Sequence, residues 1–175
     1  IYRVEGAVSH NKVNEKEAET IVSLILACLE NEEYKDKTFG IITLRGDKQA
    51  DFIDRVLQKR MSPLEYRKRE LLCGNSANFQ GAERDIIFLS MVDTNEGEGP
   101  LRRNGYGSDD LYKKRYNVAV SRARDQIWLV YSLDSENDLK PGDIRKELID
   151  YMKNPHSRDI EYDTLSKKAE SEFEK

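Results

Sequence analysis

Phe79-Gln80-Gly81-Ala82-Glu83-Arg84-Asp85-Ile86-Ile87-Phe88-Leu89-Ser90-Met91-Val92 is the stretch that decides the fold. From Asp85 to Val92 it is almost continuously apolar, as expected of a central parallel strand covered on both faces. Such a strand needs helices above and below, and helical patterns flank it. Upstream, Thr38 to Leu44 (TFGIITL) is a second short run rich in β-branched residues. Gly46-Asp47 and a helical pattern through Ala50, Ile53, Val56 and Leu57 follow it. Downstream, Tyr112, Tyr116, Ala119, Val120 and Ala123 share one helical face, and Gln126 to Leu133 (QIWLVYSL) reads as another buried strand. Strands alternating with helices imply an α/β domain with a mostly parallel sheet.

The outer segments fit the same plan. Tyr2 to Val8 reads as an extended start. Asn14, followed three residues later by Glu17, caps a helix carrying Ala18, Ile21, Val22, Ile25, Cys28 and Leu29. Ser62-Pro63 ends the second helical pattern, and Leu71-Leu72-Cys73 reads as a short strand after a very polar stretch. Residues 93–110 hold four glycines and a proline without periodicity, which makes them a long surface loop. Pro141-Gly142-Asp143 opens a last helix through Ile144, Leu148, Ile149 and Met152, and the chain is largely polar from His156 onward.

The chain has 175 residues with 38% hydrophobic content, enough for one core. Lys+Arg (29) nearly balance Asp+Glu (33), so the net charge of −4 provides no global field to attract nucleic acid, and any such contact must be local. No apolar run approaches the length of a membrane span, and no leader pattern follows Ile1. A cytosolic piece of a longer protein, without membrane contact, is the expectation. Cys28 and Cys73 lack a C-x-x-C arrangement and read as buried thiols, with no metal site implied.

Two segments carry chemistry. In the first, ahead of the central strand, Gly81 would let the backbone approach a phosphate and Glu83 could accept from ribose hydroxyls, although a polar turn needs the same residue types. The second, Arg115-Tyr116-Asn117-Val118-Ala119-Val120-Ser121-Arg122-Ala123-Arg124, is expected on one helix, which puts Arg122 and Arg124 about 200° apart. These arginines either serve a site or complement the helix dipole, and the residues alone leave both open.

Taken in order, Gly40-Ile41-Ile42-Thr43, then Phe79-Gln80-Gly81-x-Glu83-Arg84-Asp85-Ile86-Ile87-Phe88-Leu89-Ser90, then Arg115-x-Asn117-Val118-Ala119-Val120-Ser121-Arg122-Ala123-Arg124, resemble helicase motifs IV, V and VI. The resemblance is to superfamily 1 ATP-dependent helicases, in the branch that includes the nonsense-decay helicase and its bacterial relatives, and covers residues 10–153. It implies a second RecA-like (P-loop NTPase-type) motor domain over residues 1–155. Residues 156–175 would be a linker or the start of a following domain, since Ala169 to Lys175 is similar to the opening helix of a nuclease-like domain.

By the same resemblance, Gln80, Gly81 and Glu83 contact ATP, and Arg122 is the arginine finger, the catalytic residue. Thr43, Arg45 and Ser76 lie on the nucleic-acid backbone, single-stranded and DNA by expectation. The chain departs from the family's pattern after Thr43, where Leu44-Arg45-Gly46-Asp47-Lys48-Gln49 is one residue longer before the glutamine, and at Asn75-Ser76-Ala77-Asn78. No G-x-x-x-x-G-K-[ST] occurs, so the phosphate-binding lysine and the ligands of ATP's Mg ion are expected in an N-terminal RecA-like partner domain of the same protein. The alternative is a RecA-like protein-interaction module without an ATPase role, docking through residues 93–110.

Overall fold

The computed structural model describes residues 1–96, 101 and 110–154. β6 (Arg84–Ser90) lies mid-sheet between β4 (Phe39–Thr43) and β7 (Ala123–Tyr131). β5 (Leu72–Asn75) flanks β4 on one side, and β1 (Tyr2–Arg3) flanks β7 on the other. All pairings in this five-stranded sheet are parallel, with order β1-β7-β6-β4-β5. β2 (Ser9–His10) and β3 (Val13–Asn14) form a separate antiparallel hairpin. The domain is α/β, a parallel sheet flanked by helices, in line with the sequence.

The unbroken apolar run of β6 follows from its two covered faces. Ile86 and Phe88 point into one core with Phe39 and Ile41, against α1 (Glu15–Glu30) and α2 (Lys48–Arg60). Ile87 and Leu89 point into the other with Ile42 and Phe79, against α4 (Asp110–Val120) and α5 (Ile144–Lys153). Side chains alternate across a strand, so two-sided burial removes the polar positions that a one-sided strand would keep.

Local chemistry sets the helix starts. Asn14 accepts the Glu17 N–H at 3.1 Å, as its spacing implied, and Asp143 likewise caps α5 through the Arg145 N–H at 3.0 Å. Ser62-Pro63 does more than end α2. Ser62 caps a further short helix, α3 (Pro63–Lys68), because proline is well tolerated in a first helical turn, where its missing N–H has no partner to lose. Cys28 is buried, Cys73 is only partly so, and both are free thiols. Among the described residues, no helix is long and apolar enough to cross a membrane.

Candidate functional site

The residues singled out in the sequence fall on two opposite edges of the sheet. Gln80, Gly81, Glu83 and Arg122 lie at the amino edge, because they immediately precede β6 and β7. Ligand loops in parallel sheets are expected at carboxyl ends, and this group lies at the other end. The backbone brings its halves together, since the Arg84 N–H donates to the Arg122 carbonyl at 3.1 Å, one step ahead of the Arg84↔Ala123 pairing.

The turn carrying Gln80 and Gly81 is anchored by Phe79, which is fully buried, and closed by the Ala82 N–H donating to the Phe79 carbonyl at 3.1 Å. Gly81 has φ +81°, and a Cβ there would meet nothing within 4 Å. Glycine is therefore required by the backbone angle rather than by crowding, and open space stands in front of the turn. Glu83 is exposed and lies 3.5 Å from Arg124, which also reaches Asp85 at 3.6 Å. Pairs this exposed are weak and readily exchanged. Asp85 is more firmly held. Burial would raise its carboxyl, but the backbone N–H and hydroxyl of Thr38, with Arg124 and Lys37, outweigh burial and hold it below the usual carboxylate range.

Arg122 and Arg124 do not share a helix. α4 ends at Val120, Ser121 and Arg122 form a turn, and Arg124 belongs to β7. The Ser121 N–H donates to the Asn117 and Val118 carbonyls, and the Arg122 Nε donates to the Val118 carbonyl at 3.3 Å, so the helix end is satisfied without a further turn. The last turn of α4 itself holds no basic residue, but the Arg122 bond to the Val118 carbonyl sets a cation on the helix end, so the helix-dipole role stands for Arg122 beside the site role, while Arg124, in β7, is removed from it. Arg122 Nη2 donates to Ser121 Oγ at 2.9 Å, and among the described residues no carboxylate pairs with its guanidinium.

Thr43, Arg45 and Ser76 assemble at the carboxyl edge, where Thr43 stands opposite Asn75 in the β4–β5 register. Thr43 is buried and its hydroxyl donates to the Gly46 carbonyl at 2.6 Å, so its side chain holds the β4–α2 loop. Arg45 is half-exposed and pairs with Asp93 at 2.6 Å. Ser76 is largely buried in a turn where Asn78 accepts the Asn75 N–H at 2.8 Å.

A buried polar cluster at this edge was not foreseen. Glu17 Oε2 accepts the Ser90 hydroxyl at 2.9 Å and the Val92 N–H at 2.8 Å, while Oε1 accepts the Ser132 hydroxyl at 2.7 Å. Burial, with a smaller contribution from Asp93, pushes the Glu17 carboxyl up to about 7 against the pull of those three bonds. The Asn14 N–H is taken by Gln49 Oε1 at 2.8 Å, so Asn14-x-x-Glu17 caps the helix in one direction only. Val92, at φ +70°, is a β-branched residue in the left-handed region, a strained position fixed by Glu17 and by neighbours on either side. Beyond it, Asp93 bridges Arg45 and the buried Arg145, and Arg145 also pairs with Asp143 at 2.7 Å. The signal was present in Ser90, a hydroxyl inside an otherwise apolar strand, and in a glutamate on the apolar face of α1. Among the described residues, no group of three His, Cys, Asp or Glu is placed to hold a metal ion. Most of the 93–110 stretch, residues 97–100 and 102–109, and the tail 155–175 lie outside the described residues.

Comparison with known proteins defines the class. An AAA domain family model matches residues 3–134, and the chain belongs to that family. Among solved structures it is similar to the C-terminal domain of a possible DNA helicase from Lactobacillus plantarum WCFS1, at 18% identity over 80% of this chain and 76% of that one, with a TM-score of 0.45. No curated protein sequence matches it.

Proposed function

We propose that this domain is the second motor domain of an ATP-dependent helicase, acting on single-stranded DNA and contributing half of an ATP site. The observation that carries this reading is the amino edge. An open left-handed glycine turn, an exposed glutamate and a guanidinium with no carboxylate partner among the described residues are brought side by side there by the β6–β7 pairing.

ATP bound between this edge and an N-terminal RecA-like domain, with its Mg ion held by that domain, would supply the phosphoryl group for hydrolysis. Gln80 and the Gly81 backbone would face the phosphates. Glu83 would accept from the ribose hydroxyls after giving up Arg124, an exchange that costs little at an exposed pair. Arg122 would stabilise charge spread over the transferring oxygens, and only when the two domains close, which ties turnover to domain motion. At the opposite edge Arg45 and the Ser76 turn would touch the nucleic-acid backbone, with Thr43 holding the loop between them in shape. The test is ATP turnover by the purified chain. None above background is expected, and turnover abolished by Arg122→Ala would show that one domain holds the whole site.

A further inference from the structure

The β2–β3 hairpin ends in a two-residue turn, Asn11 at φ 52° and Lys12 at φ 64°. Both residues are left-handed, the geometry for which Asn-Gly is the favoured pair. Lysine in the second place is strained where glycine would not be. The tip is also fixed in place. Ser9 N–H donates to Thr94 Oγ1 at 3.0 Å, Gln49 bonds both the N–H and the carbonyl of Asn14, and Lys48 Nζ donates to Asn11 Oδ1. The Lys12 side chain runs beside the β4–α2 loop, with its Cδ 3.8 Å from the position of a Cβ on Gly46.

Lys12 and Lys48 are therefore exposed side by side at the carboxyl edge, next to the loop that carries Arg45. Asp47, on the same loop, accepts from the Asn75 amide and keeps its charge, so the tip and loop set two lysines, Lys12 and Lys48, against one carboxylate. We propose that the Asn11–Lys12 tip, with Lys48, is a contact surface for the sugar-phosphate backbone of a single nucleic-acid strand, extending the footprint beyond Arg45 and the Ser76 turn. This rests on the nucleic-acid reading of the carboxyl edge given above. The surface is cationic, rigid and without an apolar or aromatic platform among its described residues, which suits phosphates and gives no base selectivity.

The test is fluorescence anisotropy of a fluorescein-labelled oligothymidylate with the whole chain at two low salt concentrations, comparing wild type with Lys12→Gly and Lys12→Glu. Glycine relieves the strained turn, so Lys12→Gly should melt no lower than wild type while binding about threefold more weakly, with the salt slope reduced by roughly the 0.7 expected for one lost single-strand phosphate contact. Lys12→Glu should weaken binding by about tenfold. Wild-type affinity and salt slope in both variants would overturn the hairpin contact and leave the edge assignment standing. No binding by wild type would overturn both.

Discussion

Burial drives a carboxyl group with no exposed surface toward its neutral form, even where two hydroxyls and one backbone N–H donate to it and favour the charge. Glu17 is in that position, and its carboxyl is raised from 4.5 to about 7. The folded state therefore holds a proton that the unfolded state has released across this interval, so stability is fully present below pH 4.5 and is lost as pH rises through about 7. The loss is on the order of 3 kcal/mol. Glu17→Gln mimics the protonated form, with its amide able to donate to Ser132 Oγ. Urea unfolding at pH 5 and pH 8 should show the variant losing less stability than wild type over that range. Parallel losses would mean that Glu17 does not carry the pH dependence. A second residue-scale expectation concerns Arg145, which is buried between Asp93 and Asp143. Arg145→Ala strands buried carboxylates and should cost about 3–5 kcal/mol by urea midpoint. A cost below about 1 kcal/mol would show that water or Arg45 replaces it.

At the level of elements, the strands and long helices were legible because two-sided burial and 3.6-residue periodicity both leave direct marks in the residue pattern. Asp85 to Val92 marked β6, Asn14 marked the start of α1, and Asp143 the start of α5. The boundary at Arg122 was not legible. No Gly or Pro stands between Tyr116 and Gln126, and α4 is ended by hydrogen bonds to the Val118 carbonyl and by pairing with β6, neither of which is visible locally. α3 was hidden for the opposite reason, since Ser62-Pro63 reads equally as a stop and as a start. The candidate site residues were named from motif order, while their division between the two sheet edges, and the Glu17 cluster, depend on parallel pairing across long sequence separations. The β5 end offers an element-scale test. A Cβ on Gly74 would stand 2.7 Å from Asn78 Cβ and Oδ1, the group that accepts the Asn75 N–H. Gly74→Ala should displace Asn78, open the turn carrying Ser76, and cost about 1–3 kcal/mol in thermal unfolding. An unchanged melting temperature would show that the turn yields without cost.

Across the whole molecule, the proposed nucleotide groups and the proposed nucleic-acid groups are separated by the length of the strands, with β4 and β6 running directly from one edge to the other. A parallel sheet is stiff along that direction, so a shift imposed at Gly81 and Arg122 on domain closure would be carried to Arg45 and Ser76 as a rigid displacement. If the carboxyl edge meets a nucleic-acid strand as proposed, about two or three phosphate contacts from the isolated chain would give a shallow salt dependence and an affinity near 10⁻⁴ M at physiological salt. Submicromolar or sequence-selective binding of single strands by anisotropy would point to a dedicated nucleic-acid-binding module instead. The proposed shared ATP site is tested most directly by single-strand-stimulated ATP turnover of the intact protein carrying Arg122→Ala, with Arg124→Ala beside it. Arg122→Ala should lower turnover by about 10³ with nucleotide affinity nearly unchanged, because the guanidinium acts in the transition state, and Arg124→Ala should do much less. Wild-type turnover in Arg122→Ala, or a greater loss in Arg124→Ala, would contradict the assignment of the arginine finger and with it the half-site.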